Sequence, residues 1–134
     1  TIENKGLPVI KGISLQLHQL CLNLISNALK FTEQQPVIQI TSRVVSAEDI
    51  SRMTGWVANG NYAELVFKDN GIGFDQQYAQ KIFTIFQRLH DKHSYAGTGI
   101  GLALCKKIVD NHNGFITAQS EVGKGSAFYI YLPV

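Results

Sequence analysis

What this 134-residue sequence lacks narrows its class. Its two cysteines, Cys21 and Cys105, are too few and too far apart for a disulfide framework or a Cys-x-x-Cys metal site. Both fall in predicted helices and read as small buried apolar residues in a reducing compartment. No apolar run approaches the roughly 20 residues of a membrane span, and no leader pattern opens the chain. The formal net charge is only +2, with Lys and Arg scattered rather than striped, so there is no electrostatic footprint for nucleic acid. The first residue is Thr1, not Met, so a piece of a longer chain is expected. The composition is that of a soluble globular protein, 45% hydrophobic and 16% charged. The length suits one domain able to bury a core without metals or disulfides.

The residues with chemistry in them gather at two glycine clusters, Asp69-Asn70-Gly71-Ile72-Gly73 and Gly97-Thr98-Gly99-Ile100-Gly101-Leu102. Tyr62 to Asp69 alternates, with Ala63, Leu65, Phe67 and Asp69 on one side and Tyr62, Glu64, Val66 and Lys68 on the other, the period of a half-buried strand. Asp69 thus ends the apolar face. An inward carboxylate is costly unless something hydrogen-bonds it, and glycines let a backbone come close to a ligand. A purine amine would suit that acceptor; a turn in which Asp69 merely caps its own backbone fits equally well.

After the second cluster, Ala103, Leu104, Ile108 and Val109 keep helical spacing and Asn113-Gly114 supplies a stop, which predicts a helix from about Ile100 to His112. Glycines opening a helix expose N–H groups and the positive end of its dipole, a setting that favours phosphate. There is no Gly-Lys-Ser/Thr ending, and the polar run Gln87 to Ala96 stands where a dinucleotide fingerprint needs a strand.

A second helix is predicted over Gln16 to Phe31, where Leu17, Leu20, Cys21, Leu24, Ala28 and Phe31 make an apolar face. Gln16, Gln19, Asn23, Asn27 and Lys30 make another, with no carboxylate in it. A solvated face is one reading. Exposed faces normally mix Glu with Lys, however, and Asn inside a helix costs propensity without return. An Asn-x-x-x-Asn pair with a Lys suits phosphate oxygens and a hard metal ion.

The other segments complete the outline. Thr1 to Lys11 reads as an edge strand or lead-in interrupted by Gly6 and Pro8, and Val37 to Val45 as a strand. Ala47 to Asn61 reads as a polar connection ending in the turn Asn59-Gly60, with Trp56 in a packing role. Asp75 to Phe86 reads as a short helix whose Ile82, Phe83, Ile85 and Phe86 cover something apolar. Phe115 to Ser120 and Ala127 to Leu132 read as the last strands, joined by Gly123-Lys124-Gly125. The interleaving predicts a two-layer α/β sandwich with a mixed sheet.

Five segments now resemble, in order, the N, G1, F, G2 and G3 boxes of sensor histidine kinases. They are Asn23-Leu24-Ile25-Ser26-Asn27-Ala28-Leu29-Lys30-Phe31-Thr32, Asp69 to Gly73, Phe86-Gln87-Arg88, Gly97 to Leu102, and Gly123-Lys124-Gly125-Ser126. Phe86 to Leu89 with Tyr95-Ala96-Gly97-Thr98 further resembles the phytochrome-like and hybrid members. The resemblance implies an α+β fold of the GHKL superfamily, with a mostly antiparallel sheet covered on one face by helices. It also implies ATP and Mg²⁺ as ligands.

Carried over by position, the resemblance puts Asp69 on the adenine amine, Gly71, Ile72, Gly73 and Ser126 around the base, and Asn27 on Mg²⁺. Asn23 and Lys30 face the phosphates, and Gly97, Thr98, Gly99, Gly101 and Leu102 form the phosphate-side loop and lid hinge. Phe86 packs under the lid or in the core. Arg88 reaches the γ-phosphate or stays a solvated charge. Arg88 and Lys30 are the catalytic candidates. Ile13 and Gln16 stand where the family usually has Asp and Arg, which puts a local helix cap or ion pair in question rather than the site.

The implied partners are the dimerisation domain that carries the phospho-acceptor histidine and a response-regulator receiver domain, with no nucleic acid and no direct membrane contact. His18, His90, His93 and His112 are the only histidines, and none has the acceptor context, so the acceptor domain is expected to lie elsewhere in a cytoplasmic part of the parent chain. GHKL hydrolases carry Glu at the position of Asn23 to activate water; Asn supplies no such base. The alternatives are a degenerate nucleotide-binding or interaction module without kinase activity, and a serine-directed anti-sigma kinase.

Overall fold

The computed structural model describes residues 2–5, 12–30, 35–55, 60–79, 81–83 and 101–134. Five strands form one sheet in the order β1-β2-β3-β5-β4: β1 (Ile2–Lys5), β2 (Ile38–Ser46), β3 (Asn61–Asp69), β4 (Phe115–Glu121) and β5 (Gly125–Pro133). β1 pairs parallel with β2, and every other pairing is antiparallel. The expected mixed, mostly antiparallel sheet is what forms, with the opening segment as its edge strand.

Register decides where the core lies. Ile40 stands opposite Phe67, Phe67 opposite Phe128, and Phe128 opposite Ala118, so one apolar row crosses four strands. A one-residue slip in any pair would turn that row to the other face. Against this face lie α1 (Ser14–Lys30) and α3 (Gly101–Asn111), through Leu20, Leu24 and Ala28 of the first and Cys105, Ile108 and Val109 of the second. α1 and α3 run antiparallel, because Cys105 lies by the Leu20 carbonyl while Ile13 and Gln16 bond His112 and Asn111.

Two segments differ from the sequence reading. Ala47 to Asn61, read as a connection, contains α2 (Ala47–Thr54). Ser46 Oγ accepts the Asp49 N–H at 3.2 Å, Glu48 and Asp49 sit in the first turn, and the Gly55 N–H closes the last turn on Ser51. Among its described side chains so short a helix buries a single large apolar residue, Ile50, too few to show a period. Ile50 packs with Val45, Tyr62 and Tyr131 on the outer face of the sheet. There Glu64, only 5% exposed, is held by Arg43 Nε at 2.8 Å. Tyr62 and Glu64, read as the polar side of their strand, are therefore covered.

The second difference is Asp75 to Phe86, where single 3₁₀ turns at Gln76–Tyr78 and Lys81–Phe83 replace the expected helix within the described residues. Asp75 Oδ1 accepts the Gln77 N–H, and Ala79 N–H closes on Gln76, so the first turn is complete in itself. Phe74, Ala79 and Ile82 still reach the core. α3 is described from Gly101, the expected start Ile100 lying outside the described residues, and its stop works through Asn113 in the left-handed region (φ 59°), after which Gly114 N–H returns to Val109.

Leu20 and Leu22 test the orientation of α1, since Leu20 is 1% exposed and Leu22 48%. Leu20→Ala should cost about 2–5 kcal/mol in urea unfolding, and Leu22→Ala about 0.5 kcal/mol or less. Equal losses would mean that α1 is rotated on the sheet.

Candidate functional site

Asp69 ends β3 opposite Ile38, the start of β2, and opposite Ser126, near the start of β5. α1 leads into β2 at this same end. The antiparallel pairing with α3 then brings the Asn23–Asn27 half of α1 toward the Gly101 end of α3. The polar face of α1, the N-terminus of α3 and the Asp69 carboxylate thus gather at one end of the sheet.

Asp69 does what the turn-cap reading asked. Its Oδ1 accepts the Gly71 N–H at 2.8 Å, capping its own turn. It is also partly buried, and desolvation raises its pKa against the opposing pull of the Gly71 and Ser126 backbones. An ionised carboxylate has about four lone-pair sites, so acceptor capacity remains for a ligand.

The turn after Asp69 is pressed onto the β4–β5 hairpin. Gly73 (φ 70°) and Gly125 (φ 100°) have no side chain because a Cβ on the first would collide with the Glu121 carbonyl and on the second with the Asp69 carbonyl. Gly123 N–H donates to the Ile72 carbonyl at 2.7 Å, and Phe74 N–H to Ser120 Oγ at 2.8 Å. Asn70 fastens the same turn to β2, its Oδ1 accepting from Val37 N–H at 2.8 Å and its Nδ2 donating to the Gln35 carbonyl at 3.0 Å. The close approach that Gly73 permits is thus to the protein's own backbone.

On α1, Gln19 Nε2 donates to Asn23 Oδ1 at 2.8 Å, and Asn23 also bonds the Cys105 thiol. Asn27 is half-buried, and among the described residues nothing hydrogen-bonds its amide. An amide oxygen is a hard donor of the kind Mg²⁺ takes alongside phosphate and water, so Asn27 fits that ion. Among the described residues there is no group of three or more His, Cys, Asp and Glu that could hold a metal by itself. Lys30 is the last residue of α1, Gly101 the first of α3, and Leu102 packs against the core. Phe86, Arg88, Gly97, Thr98 and Gly99 lie outside the described residues.

Burial pushes the Cys105 thiol to about 12 and raises Cys21 as well, so neither supplies a thiolate at neutral pH. Both are free cysteines on helices, as read. The position of the expected Asp, Ile13, is served by the other helix. Ile13 N–H donates to His112 Nε2 at 2.9 Å, while the opposite ring nitrogen lies 2.8 Å from the Ile108 carbonyl, so the ring is a neutral Nδ1–H tautomer. Sequence reasoning assigned nothing to Asn70 or Ser120, and left His112 as structural or solvated. Their partners are 33 or more residues away in chain order for all but the hairpin contacts of Ser120 and the Ile108 contact of His112, and no local pattern announces them.

A cleft of about 610 Å³ at this sheet end is lined by Asp69, Ser120 and Ser126 but also by Lys68, Gln119, Ala127 and Tyr129 of the outer face. The half-buried Asn27 and Asp69 mark the helix-side site better than that cleft does.

Three comparisons bear on the site. The model of the family described as "Histidine kinase-, DNA gyrase B-, and HSP90-like ATPase" matches residues 12–134. Cyanobacterial phytochrome A of Nostoc sp. strain PCC 7120 is 42% identical over 134 residues, 99% of this chain and 16% of the relative. Aerobic respiration control sensor protein ArcB of Escherichia coli strain K12 is 40% identical over 116 residues, 84% of this chain and 13% of the relative. The chain thus spans about a sixth of the length of these curated relatives. Among solved structures, Mycobacterial sensor histidine kinase MprB superposes with a TM-score of 0.72 at 26% identity, covering 98% of this chain and 81% of that one. Full-length ShkA in complex with AMPPNP gives 0.72 at 24% identity, covering 98% and 25%, a likeness of fold.

The raised pKa of Asp69 fixes a sign. Its carboxyl holds a proton more readily in the fold than in the unfolded chain, so it favours folding below the unfolded value and loses that contribution as pH rises through the folded one. Asp69→Asn should therefore unfold at a higher temperature than the parent at pH 7, with the gap closing as pH falls toward about 4. Melting curves across that range check it; a variant less stable at pH 7 would contradict the burial of the charge.

Proposed function

Because the chain belongs to the histidine kinase-, DNA gyrase B- and HSP90-like ATPase family, we propose that it is the ATP-binding catalytic domain of a two-component sensor histidine kinase. It transfers the γ-phosphoryl group of ATP to a histidine on a separate dimerisation domain, from which a response-regulator aspartate takes it. Residues 1–134 act as one catalytic domain on the cytoplasmic side, with the acceptor and receiver domains as partners.

One observation carries this reading: the half-buried Asn27 amide, without a partner among the described residues, stands at the same end of the sheet as the half-buried Asp69 carboxylate. A solvated helix face has no use for Asn there, and a self-sufficient turn has no use for the buried charge. Asp69 accepts the adenine amine, with Gly71, Ile72, Gly73 and Ser126 around the base. Asn27 gives its amide oxygen to Mg²⁺, and Asn23 and Lys30 face the phosphates. Bound Mg²⁺ supplies neutralising charge on the phosphate oxygens.

Gly97, Thr98 and Gly99 serve the phosphate side, with Gly101 and Leu102 opening α3 behind them, and Phe86 belongs to the same lid. Arg88 approaches the γ-phosphoryl group, where a guanidinium offsets the charge that develops in transfer. The γ-phosphorus bond to the bridging oxygen breaks as its bond to an imidazole nitrogen forms, and ADP leaves. With Asn23 where a hydrolase has Glu, water is left without a general base, so hydrolysis is negligible.

Thermal melting with Mg·ATP, and with Mg·GTP as control, tests this. At a hundredfold excess over Kd, ATP should add about 2.7 kcal/mol of stability, a rise of several degrees, and GTP should add little. No rise with ATP would favour the interaction module. Asn27→Ala should melt like the parent without ligand, lose most of the Mg·ATP rise and fail to phosphorylate a supplied acceptor domain; undiminished transfer would refute the metal role.

A further inference from the structure

Ser120, at the end of β4, is a small residue with an unusual number of obligations. Its Oγ accepts the Phe74 N–H at 2.8 Å, lies 2.8 Å from the Gly125 carbonyl, and lies 2.9 Å from Ser126 Oγ. Its own N–H donates to Gln76 Oε1 at 2.8 Å, which fixes the backbone that carries it. Gln76 Nε2 is itself tied to the Ala118 carbonyl at 3.1 Å.

A serine hydroxyl has one proton and two lone-pair sites. The Phe74 N–H occupies one lone pair. The Gly125 carbonyl can only accept, so for all three contacts to be hydrogen bonds it must take the proton. All that Ser120 has left for Ser126 is the second lone pair, and Ser126 must therefore donate.

That direction has a consequence for the open side of Ser126. With its single proton turned toward Ser120, Ser126 Oγ offers only lone pairs elsewhere, and no other side-chain partner engages it among the described residues. Asp69, directly across the β3–β5 ladder, is also an acceptor. Two neighbouring acceptors with no donor between them fit a group that carries N–H on its rim, such as an exocyclic amine, and repel a ring carbonyl.

We propose that Ser120 is a positioning residue that sets the direction of the Ser126 proton and thereby makes the base-binding end of the site select a 6-amino over a 6-oxo purine. The inference rests on the ATP-site reading given above. Ser120 itself does not touch the nucleotide; it acts through Ser126.

The test is the ratio of dissociation constants for ATP and inosine triphosphate, which differ at the 6-position, measured by calorimetry with Mg²⁺. The parent should prefer ATP. In Ser120→Ala the Ser126 hydroxyl can turn and donate to a 6-oxo group, so the preference should fall about fivefold, the worth of one hydrogen bond. A purely structural role for Ser120 would weaken both nucleotides alike and leave the ratio unchanged, which would overturn the proposal.

Ser126→Ala, which keeps the bonds of Ser120 to Phe74 and Gly125, should lower the ratio as well, and adding Ser120→Ala to it should change the ratio no further. An unaltered ratio in Ser126→Ala overturns the proposal even if Ser120→Ala does not fold. A parent protein that binds neither nucleotide, or shows no preference, overturns the ATP-site reading itself; a preference that survives in Ser120→Ala overturns only the part given to Ser120.

Discussion

The site end of the sheet depends on one contact, backbone against backbone, between the turn after β3 and the β4–β5 hairpin. Gly73 meets the Glu121 carbonyl and Gly125 meets the Asp69 carbonyl with no room for a Cβ at either point. The contact runs both ways, so the two segments must close together. Gly123 N–H on Ile72 and Phe74 N–H on Ser120 then supply the directional bonds that hold the register. Asp69 and Ser126, opposite each other in the β3–β5 register, lie beside this closure.

The opposite wall is built from helix pairing. α1 is anchored at its start by His112, whose neutral ring takes the Ile13 N–H, and midway by the packing of Leu20 with Cys105. With those two points fixed, the later half of α1 has one direction left, toward the N-terminus of α3. Asn23 is spent on Gln19 and Cys105, whereas Asn27 keeps its amide unengaged among the described residues. The polar stripe is therefore not uniform. Its first members also hold the helices together, whereas Asn27 does not.

Asp69 shows how stability and binding pull apart here. Burial disfavours its charge, the backbone bonds from Gly71 and Ser126 recover part of that, and acceptor capacity remains on the carboxylate. The outer face resolves the same conflict differently. Glu64 is more deeply buried but has Arg43 beside it, and nothing about that pair is open to a ligand. Two carboxylates on one strand thus serve different ends, and the difference is made by what lies across from each.

Much of this was legible in the residues. Period-two alternation placed β2 and β3, the Gly123-Lys124-Gly125 turn separated β4 from β5, helical spacing placed α1 and α3, and the ordered boxes named the family. Those signals are local, written within a dozen residues, and the chain must obey them wherever it goes. α2 escaped because one buried isoleucine among its described side chains makes no period, and the described part of Asp75 to Phe86 was misread because apolar residues that reach a core from 3₁₀ turns look like one helix. That His112 would cap α1 and that Ser120 would govern Ser126 lay beyond the sequence. Both depend on hydrogen bonds whose donors and acceptors find each other only when the sheet register and the helix pairing are set, and that is a property of the closed tertiary structure.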